Sequence, residues 1–272
     1  MKRLLCFGLG YTARALVQRL GPEWVVTSTT RGSGGEGGRL LPETGFDGVT
    51  HILISIPPSE LGDPALDIHG TDIAGLRGLQ WLGYLSTTGV YGTRDGGWVD
   101  ETSPLRPTGA RGKRRVATEA GWLELWRRRN LPAHIFRLAG IYGPSRSAFD
   151  ALRAGTAKRI DAGAQVFSRI HVDDIATVLL ASIARPRPGA AYNVCDDEPA
   201  AQQAVIAHAA CLLGIEPPPL VPLAAADLTP MALSFYADNK RVSNALIKQE
   251  LGVALAHPNY RSGLAAILAG GG

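Results

Sequence analysis

Short apolar runs alternate with stretches of helical period through the first two-thirds of the chain. Leu4–Gly8, Trp24–Thr29, Thr50–Ile56, Trp81–Thr87 and Ala133–Ala139 read as five strands. Helical patterns lie between them at about Tyr11–Leu20, Pro64–Gly78 and Gly112–Arg129. This alternation predicts an α/β fold, with a parallel sheet covered on both faces and right-handed crossovers. One crossover is degenerate: Arg31–Arg39 reads RGSGGEGGR, too rich in glycine to hold a helix. A mobile loop is expected there. The last third changes character. Val166–Ile183 reads as a short strand entering an amphipathic helix, Ala190–Val194 as a strand, and Pro199–Leu213 as a helix. Pro217–Pro222 reads as an extended connector, and two helical patterns follow Leu228. No internal repeat is visible. The expected division is a domain over 1–145 built on the alternating strands and helices and a smaller region over 146–272, with about 166–195 returning to the sheet.

The 272 residues include 45% hydrophobic and 19% charged side chains, the balance of a globular protein with a sizeable core. No run approaches the length of a membrane span. Lys2 and Arg3 precede an apolar stretch, but Gly8 and Gly10 interrupt it and Arg14 ends it, so it does not read as a secretion signal. Cys6, Cys195 and Cys211 are far apart and form no C-x-x-C, which argues against a disulfide framework and fits a reducing cytoplasm. The net charge of +4 suits an anionic ligand. Arg111, Lys113, Arg114, Arg115 and Arg127–Arg129 cluster, yet without aromatic interleaving, so they read as a solvated helix face and no nucleic-acid partner is expected.

The chemistry concentrates where the first strand ends. Gly8, Gly10 and Ala13 form G-x-G-x-x-A between a strand and a helix. Gly8 permits the tight turn, Gly10 lets the backbone approach a pyrophosphate, and Ala13 lets the helix pack against the strand. The free N–H groups of the helix start would receive the phosphate.

Further segments follow in order: LSTTGVYG (Leu85–Gly92), VDETSPLRPT (Val99–Thr108), FRLAGIYGP (Phe136–Pro144), RIHVDDIA (Arg169–Ala176) and YNVCDDEP (Tyr192–Pro199). Together with the glycine motif they resemble the extended short-chain dehydrogenases/reductases, the epimerase/dehydratase branch. The resemblance covers most of the chain. It implies a Rossmann doubly wound sheet with a smaller C-terminal substrate lobe, a nicotinamide cofactor, and the possibility of a homodimer formed around the helix that follows VDETSPLRPT. It implies cofactor contacts at Gly8, Gly10, Tyr11, Thr12, Ala13, Thr30, Arg31, Ser55, Ile56, Pro57 and Thr87. In the family a Ser or Thr orients the substrate oxygen, and a Tyr and Lys spaced Y-x-x-x-K exchange the proton and hold the ribose. Thr87 takes the first place. The helix, however, reads RGKRRVATE where the family has roughly Y-G-x-S-K-x-x-x-E, so Arg111 stands at the Tyr position and Arg115 at the Lys position. Arginine does not exchange protons near neutral pH, although it can clamp carboxylates or phosphates. Tyr142, in AGIYGP, is the candidate substitute acid. Tyr91 reads as structural. A literal Y-x-x-x-K at Tyr236–Lys240 lies far along the chain and reads as coincidence.

A NAD-preferring site carries an acid about twenty residues after the glycines. Here Thr29, Thr30 and Arg31 stand there, and Glu36 lies in the glycine-rich loop, so NADP(H) is expected over NAD(H). His171, Asp173 and Asp174 invite a metal, but the resemblance makes them a turn in which an Asp caps a helix, and no metal is expected. No G-x-S-x-G elbow is present. The resulting expectation is an NADP(H)-binding oxidoreductase or epimerase/dehydratase-like protein acting on a small anionic or nucleotide-sugar substrate. The alternative is an inactive redox sensor.

Overall fold

The computed structural model of the chain describes residues 1–31, 39–40 and 45–271, with 30, 31, 39 and 40 described by backbone alone. Six parallel strands build the central sheet: β1 (Lys2–Phe7), β2 (Trp24–Ser28), β3 (His51–Ile54), β4 (Trp81–Thr87), β5 (Ala133–Leu138) and β6 (Ala191–Val194). Their order is β6-β5-β4-β3-β1-β2. The chain runs to one edge at β2 and returns on the other side of β1 at β3. That reversal opens a crevice beyond the carboxyl ends of β1 and β3, where open α/β sheets receive ligands.

Nine helices are described: α1 (Tyr11–Val17), α2 (Pro64–Ala74), α3 (Ala110–Arg129), α4 (Ala148–Arg153), α5 (Val172–Ala184), α6 (Gln202–Leu213), α7 (Pro230–Tyr236), α8 (Ala245–Leu251) and α9 (Tyr260–Ala269). The two-residue period of the strands decides which helices cover which face. Leu4 and Cys6 of β1 join a core with Ala13 and Leu16 of α1, Val178 and Leu179 of α5, and Ile247 of α8. Leu5 and Phe7 point the other way, into a core with Ala65 and Ile73 of α2 and Trp122 of α3. A third, separate cluster packs Phe149 of α4, Ala209 of α6 and Leu264 of α9 around Tyr142.

Several boundaries moved for local reasons. α2 begins where its sequence requires: the Asp63 carboxylate accepts from the Ala65 and Leu66 amides, and Pro64 occupies the first turn. The third strand is shorter than its apolar run, so Ser55, Ile56 and Pro57 leave the sheet and belong to the turn beyond β3. Residues 30–31 pair antiparallel with 39–40, and the intervening 32–38, including Glu36 and the expected mobile loop, lie outside the described residues. Among the described residues the sheet ends at β2. The expected connector at 217–222 is partly a strand, since Leu220–Pro222 pairs with Arg159–Asp161. The tail holds three helices where two were read. Gly252, with φ of 65°, ends α8, and the Asn259 capping box starts α9.

Candidate active site

The glycine turn is built from three sides. Gly8 has φ of 86°, a conformation open to glycine and strained for other residues. Its N–H donates to Thr29 Oγ1 at 3.2 Å, and its carbonyl accepts from Ser55 Oγ at 2.6 Å. The ends of β2 and β3 therefore grip the turn that leaves β1. Gly10 caps α1 through its backbone alone. No side chain caps that helix, and no acid sits in its first turn. A Cβ placed on Gly10 would meet no atom within 4 Å, so the space in front of it is open. Uncapped amides, a bare α-carbon and open space fit a dinucleotide pyrophosphate. Ala13 is fully buried under β1, as the fingerprint requires. Thr12 is also buried, which makes it a packing residue. Tyr11 donates from its hydroxyl to the Pro144 carbonyl at 2.9 Å, and Arg146 lies over its ring, tying the glycine turn to the segment after β5.

The sequence reading grouped Thr29 with Thr30 and Arg31 as the 2′-phosphate set. Thr29 shapes the turn from behind: it is buried, and its hydroxyl oxygen accepts from the Gly8 amide. The side chains of Thr30 and Arg31 lie outside the described residues.

At the end of β4, Thr87 accepts from the Gly89 amide at 3.1 Å and caps the turn Thr88–Tyr91. Its hydroxyl proton stays available to a ligand oxygen, because in that bond the oxygen only accepts. Arg111 is exposed in the first turn of α3, with no hydrogen bond or ion pair among the described residues. Arg115, one turn on, bends back to β4. It donates to the Leu85 carbonyl and the Tyr84 hydroxyl, and its guanidinium lies 5.5 Å from the Tyr84 ring centre. The expected substitute acid sits elsewhere. Tyr142 is buried in the third core cluster, edge-on to His171, and its hydroxyl donates to the Asn259 carbonyl. Burial raises its pKa far above the ordinary phenol value. No described bond joins it to Thr87.

Beneath Thr87 runs a buried polar chain that the sequence did not announce. Ser86 Oγ donates to Glu119, which pairs with Arg137 through contacts of 2.9–3.3 Å. Arg137 donates to the Tyr91 hydroxyl at 2.9 Å, Tyr91 donates to Asn193 Oδ1 at 2.7 Å, and the Asn193 amide donates to Glu101. Burial opposes the charge on Arg137, but the adjacent Glu119 carboxylate outweighs it and raises the guanidinium pKa. Burial pushes the Tyr91 phenol up to about 12. Glu119 fills the Glu position of RGKRRVATE, so its place was legible and its partners were not.

Tyr236–Lys240 lies nearer to α3 than its sequence position suggests. Asp238 accepts from Thr108, just before α3, and pairs with the buried Lys240 ammonium at 3.3 Å. Burial lowers the Lys240 pKa. The Asn239 carbonyl accepts from the Arg94 and Gly96 amides. Tyr236 itself packs edge-on against Phe167.

The turn entering α5 also differs from its reading. His171, not an Asp, caps the helix, accepting from the Asp173 amide. Asp174 turns away from the helix and accepts from the Ala256 and His257 amides.

Residues 71–195 match the NAD dependent epimerase/dehydratase family. The chain is 34% identical over 138 residues to Protein YeeZ of Escherichia coli, covering 50% of this chain and 47% of that one. It is 32% identical over 146 residues to the 3-diazoavenalumate denitrifying reductase of a Streptomyces species, again covering 50% and 47%. These matches thus span about half the length of the curated relatives. A functionally unknown conserved protein from Silicibacter pomeroyi superposes with TM-score 0.91 at 52% identity, over 99% of both chains. The dTDP-glucose 4,6-dehydratase of Bacillus anthracis, in complex with NAD, gives 0.77 at 16% identity over 99% and 96%. RMD of Pseudomonas aeruginosa, complexed with NADPH, gives 0.71 at 17% identity over 99% and 98%. No helix among the described residues is long and apolar enough to cross a membrane. Residues 71–195 thus carry the match to the NAD dependent epimerase/dehydratase family, set in a chain with a Rossmann-type sheet and a glycine turn at its switch point.

Proposed function

We propose that the protein is an NADP(H)-dependent oxidoreductase or epimerase/dehydratase-like enzyme acting on a small anionic or nucleotide-sugar substrate. The observation that carries this reading is the open, uncapped glycine turn at Gly10. Gly8, Gly10 and Tyr11 would line the pyrophosphate, with Ser55, Ile56 and Pro57 beside it and Thr30 and Arg31 at the 2′-phosphate. Thr29, Thr12 and Ala13 shape the turn from behind. The bound nicotinamide would supply hydride transfer. Thr87 would donate its free proton to a substrate oxygen and orient it. Arg111, exposed and unpaired, would clamp a substrate carboxylate or phosphate. Arg115 has its guanidinium occupied by β4 and would hold the floor of the site rigid. With arginines at the Tyr and Lys positions and Tyr142 buried elsewhere, any proton must come from water or from the substrate itself.

That last point favours a second reading, a redox sensor that binds NADP(H) without turnover. Consumption of NADPH over a panel of carbonyl compounds and nucleotide sugars separates the two: turnover supports the enzyme, and tight binding without turnover on any compound supports the sensor.

Binding is testable through the five tryptophans by fluorescence titration with NADPH and NADH. NADPH is expected to bind at least tenfold more tightly, and Arg31→Ala to erase the difference. Equal affinities in the parent chain would remove the NADP preference. Gly10→Val is expected to abolish binding of both nucleotides while leaving the melting temperature within a few degrees, since its side chain meets no protein atom. Unchanged nucleotide affinity in this variant would sink the assigned site.

A further inference from the structure

We propose that His171, Asp173 and His257 form a binding site for a divalent cation of the zinc type, at the start of α5. The three come from two places in the fold, the start of α5 and the segment before α9. His171 ends the short strand Arg169–His171, Asp173 lies in the first turn of α5, and His257 precedes the cap of α9. His171 Nδ1 and His257 Nε2 lie 3.6 and 4.0 Å from the same oxygen, Asp173 Oδ2. One donor atom from each of the three side chains falls within 4.8 Å of the others. A tetrahedral zinc ion holds its ligands about 3.4 Å apart, given bond lengths near 2.05 Å, so small side-chain rotations close the shell. Two imidazoles and one carboxylate are a zinc donor set that leaves a position open for water or a fourth ligand.

The backbone around the cluster is already held. Asp174, beside Asp173, accepts from the Ala256 and His257 amides at 2.7 and 3.0 Å, fixing the His257 backbone against α5. Arg19, just after α1, donates to the Asp173 carbonyl at 2.8 Å and to Thr177 Oγ1, anchoring the same turn. Ligands on elements fixed in this way need little reorganisation to bind.

His171 is poorly partnered for a buried imidazole. The side chain is 2% exposed, its Nε2 has no hydrogen-bond partner among the described residues, and its Nδ1, which faces Asp173, has only the 3.2 Å bond from the Asp173 amide, which a cation would replace. Buried imidazoles ordinarily find partners on both nitrogens. The His257 ring lies against it, with centroids 4.0 Å apart. Asp173 is 56% exposed at its side chain, which gives the ion a route in from solvent. An ion here would staple the segment before α9 to the start of α5.

The test uses tag-free protein, dialysed against EDTA and then titrated with Zn²⁺ by calorimetry in the absence of nucleotide. One equivalent per chain is expected, with a rise in melting temperature that EDTA reverses. Co²⁺ in place of zinc should give the intense visible bands of a tetrahedral site. His257→Gln and Asp173→Asn change partly exposed side chains, so both should stay folded by circular dichroism. Each is expected to weaken Zn²⁺ binding at least tenfold and to abolish the Co²⁺ bands. Absence of saturable binding, or binding of equal strength in both folded variants, overturns the proposal. Either result leaves the nucleotide titrations standing, because zinc is titrated in the absence of nucleotide and nucleotide in the absence of zinc.

Discussion

Glu119→Gln is expected to lower the unfolding free energy by about 3–5 kcal/mol, the cost of leaving a buried guanidinium without its counter-charge. Glu119 and Arg137 are 1% and 5% exposed, so water cannot take the place of the lost carboxylate. The loss extends beyond the pair. Ser86 donates to the same carboxylate, and Arg137 also holds the Tyr91 hydroxyl, so one substitution disturbs both supports under Thr87. Arg137→Met should cost a similar amount, since it strands the carboxylate instead. The double variant Glu119→Leu/Arg137→Met removes both charges and should be destabilised by clearly less than the sum of the single changes. Urea denaturation of the four proteins reads this directly. Additive losses would show that the two groups do not depend on each other. The double variant has a second use: if its stability recovers while affinity for nucleotide and substrate does not, the buried pair positions the Thr87 end of β4.

Acid should narrow the stability gap between the parent chain and His134→Asn by up to about 3 kcal/mol between pH 7 and pH 4. His134 is fully buried in β5, with Nδ1 at 3.2 Å from the Leu82 carbonyl and no partner at Nε2. Burial lowers its pKa from 6.5 to about 4. As pH falls below 6.5 the unfolded chain takes up a proton that the folded chain refuses. The contribution of neutral His134 is therefore complete above pH 6.5, and it is lost as pH falls through the folded value. Asparagine does not titrate in this range, so the variant lacks that loss. The comparison must be between variant and parent because other groups move in both directions. His51 in β3 is also held near 4, by burial and by Lys2, and loses stability over the same window. Asp196, raised to about 8 by burial, does the opposite: its folded carboxyl keeps a proton that the unfolded chain sheds above pH 3.8, so acid relieves it. Urea midpoints at several pH values test the point, and a gap that stays constant from pH 7 to pH 4 would refute it.

The parts of this protein that were legible in the sequence are those governed by neighbours along the chain. β4 was read residue for residue at Trp81–Thr87, because an apolar run buried on both faces has one stable arrangement in a parallel sheet. Gly8, Gly10 and Ala13 announced the turn because each residue type answers a local steric demand, and the structure gives them the positive φ, open space and burial expected. Capping was legible where a short polar side chain stands just before a helix, as at Asp63, and misread where His171 took the role assigned to an Asp. The surroundings of Tyr142 were not legible, because a motif places its backbone but not its hydroxyl, which donates to the Asn259 carbonyl beside the third core cluster.

Taken alone, the chain determined the alternation of strands and helices, the glycine turn, and the arginines at 111 and 115 of RGKRRVATE. All three are matters of residue type, local period and spacing. Tertiary structure alone decided which polar groups meet. Tyr91 and Asn193 are 102 positions apart, Glu119 finds Arg137 across the face between α3 and β5, and His257 reaches His171 only because α9 folds back onto the start of α5. A buried charge or an unpartnered nitrogen must be satisfied, but the sequence does not say by which distant group. That choice is made when the sheet order and the helix packing bring two remote segments within hydrogen-bond distance.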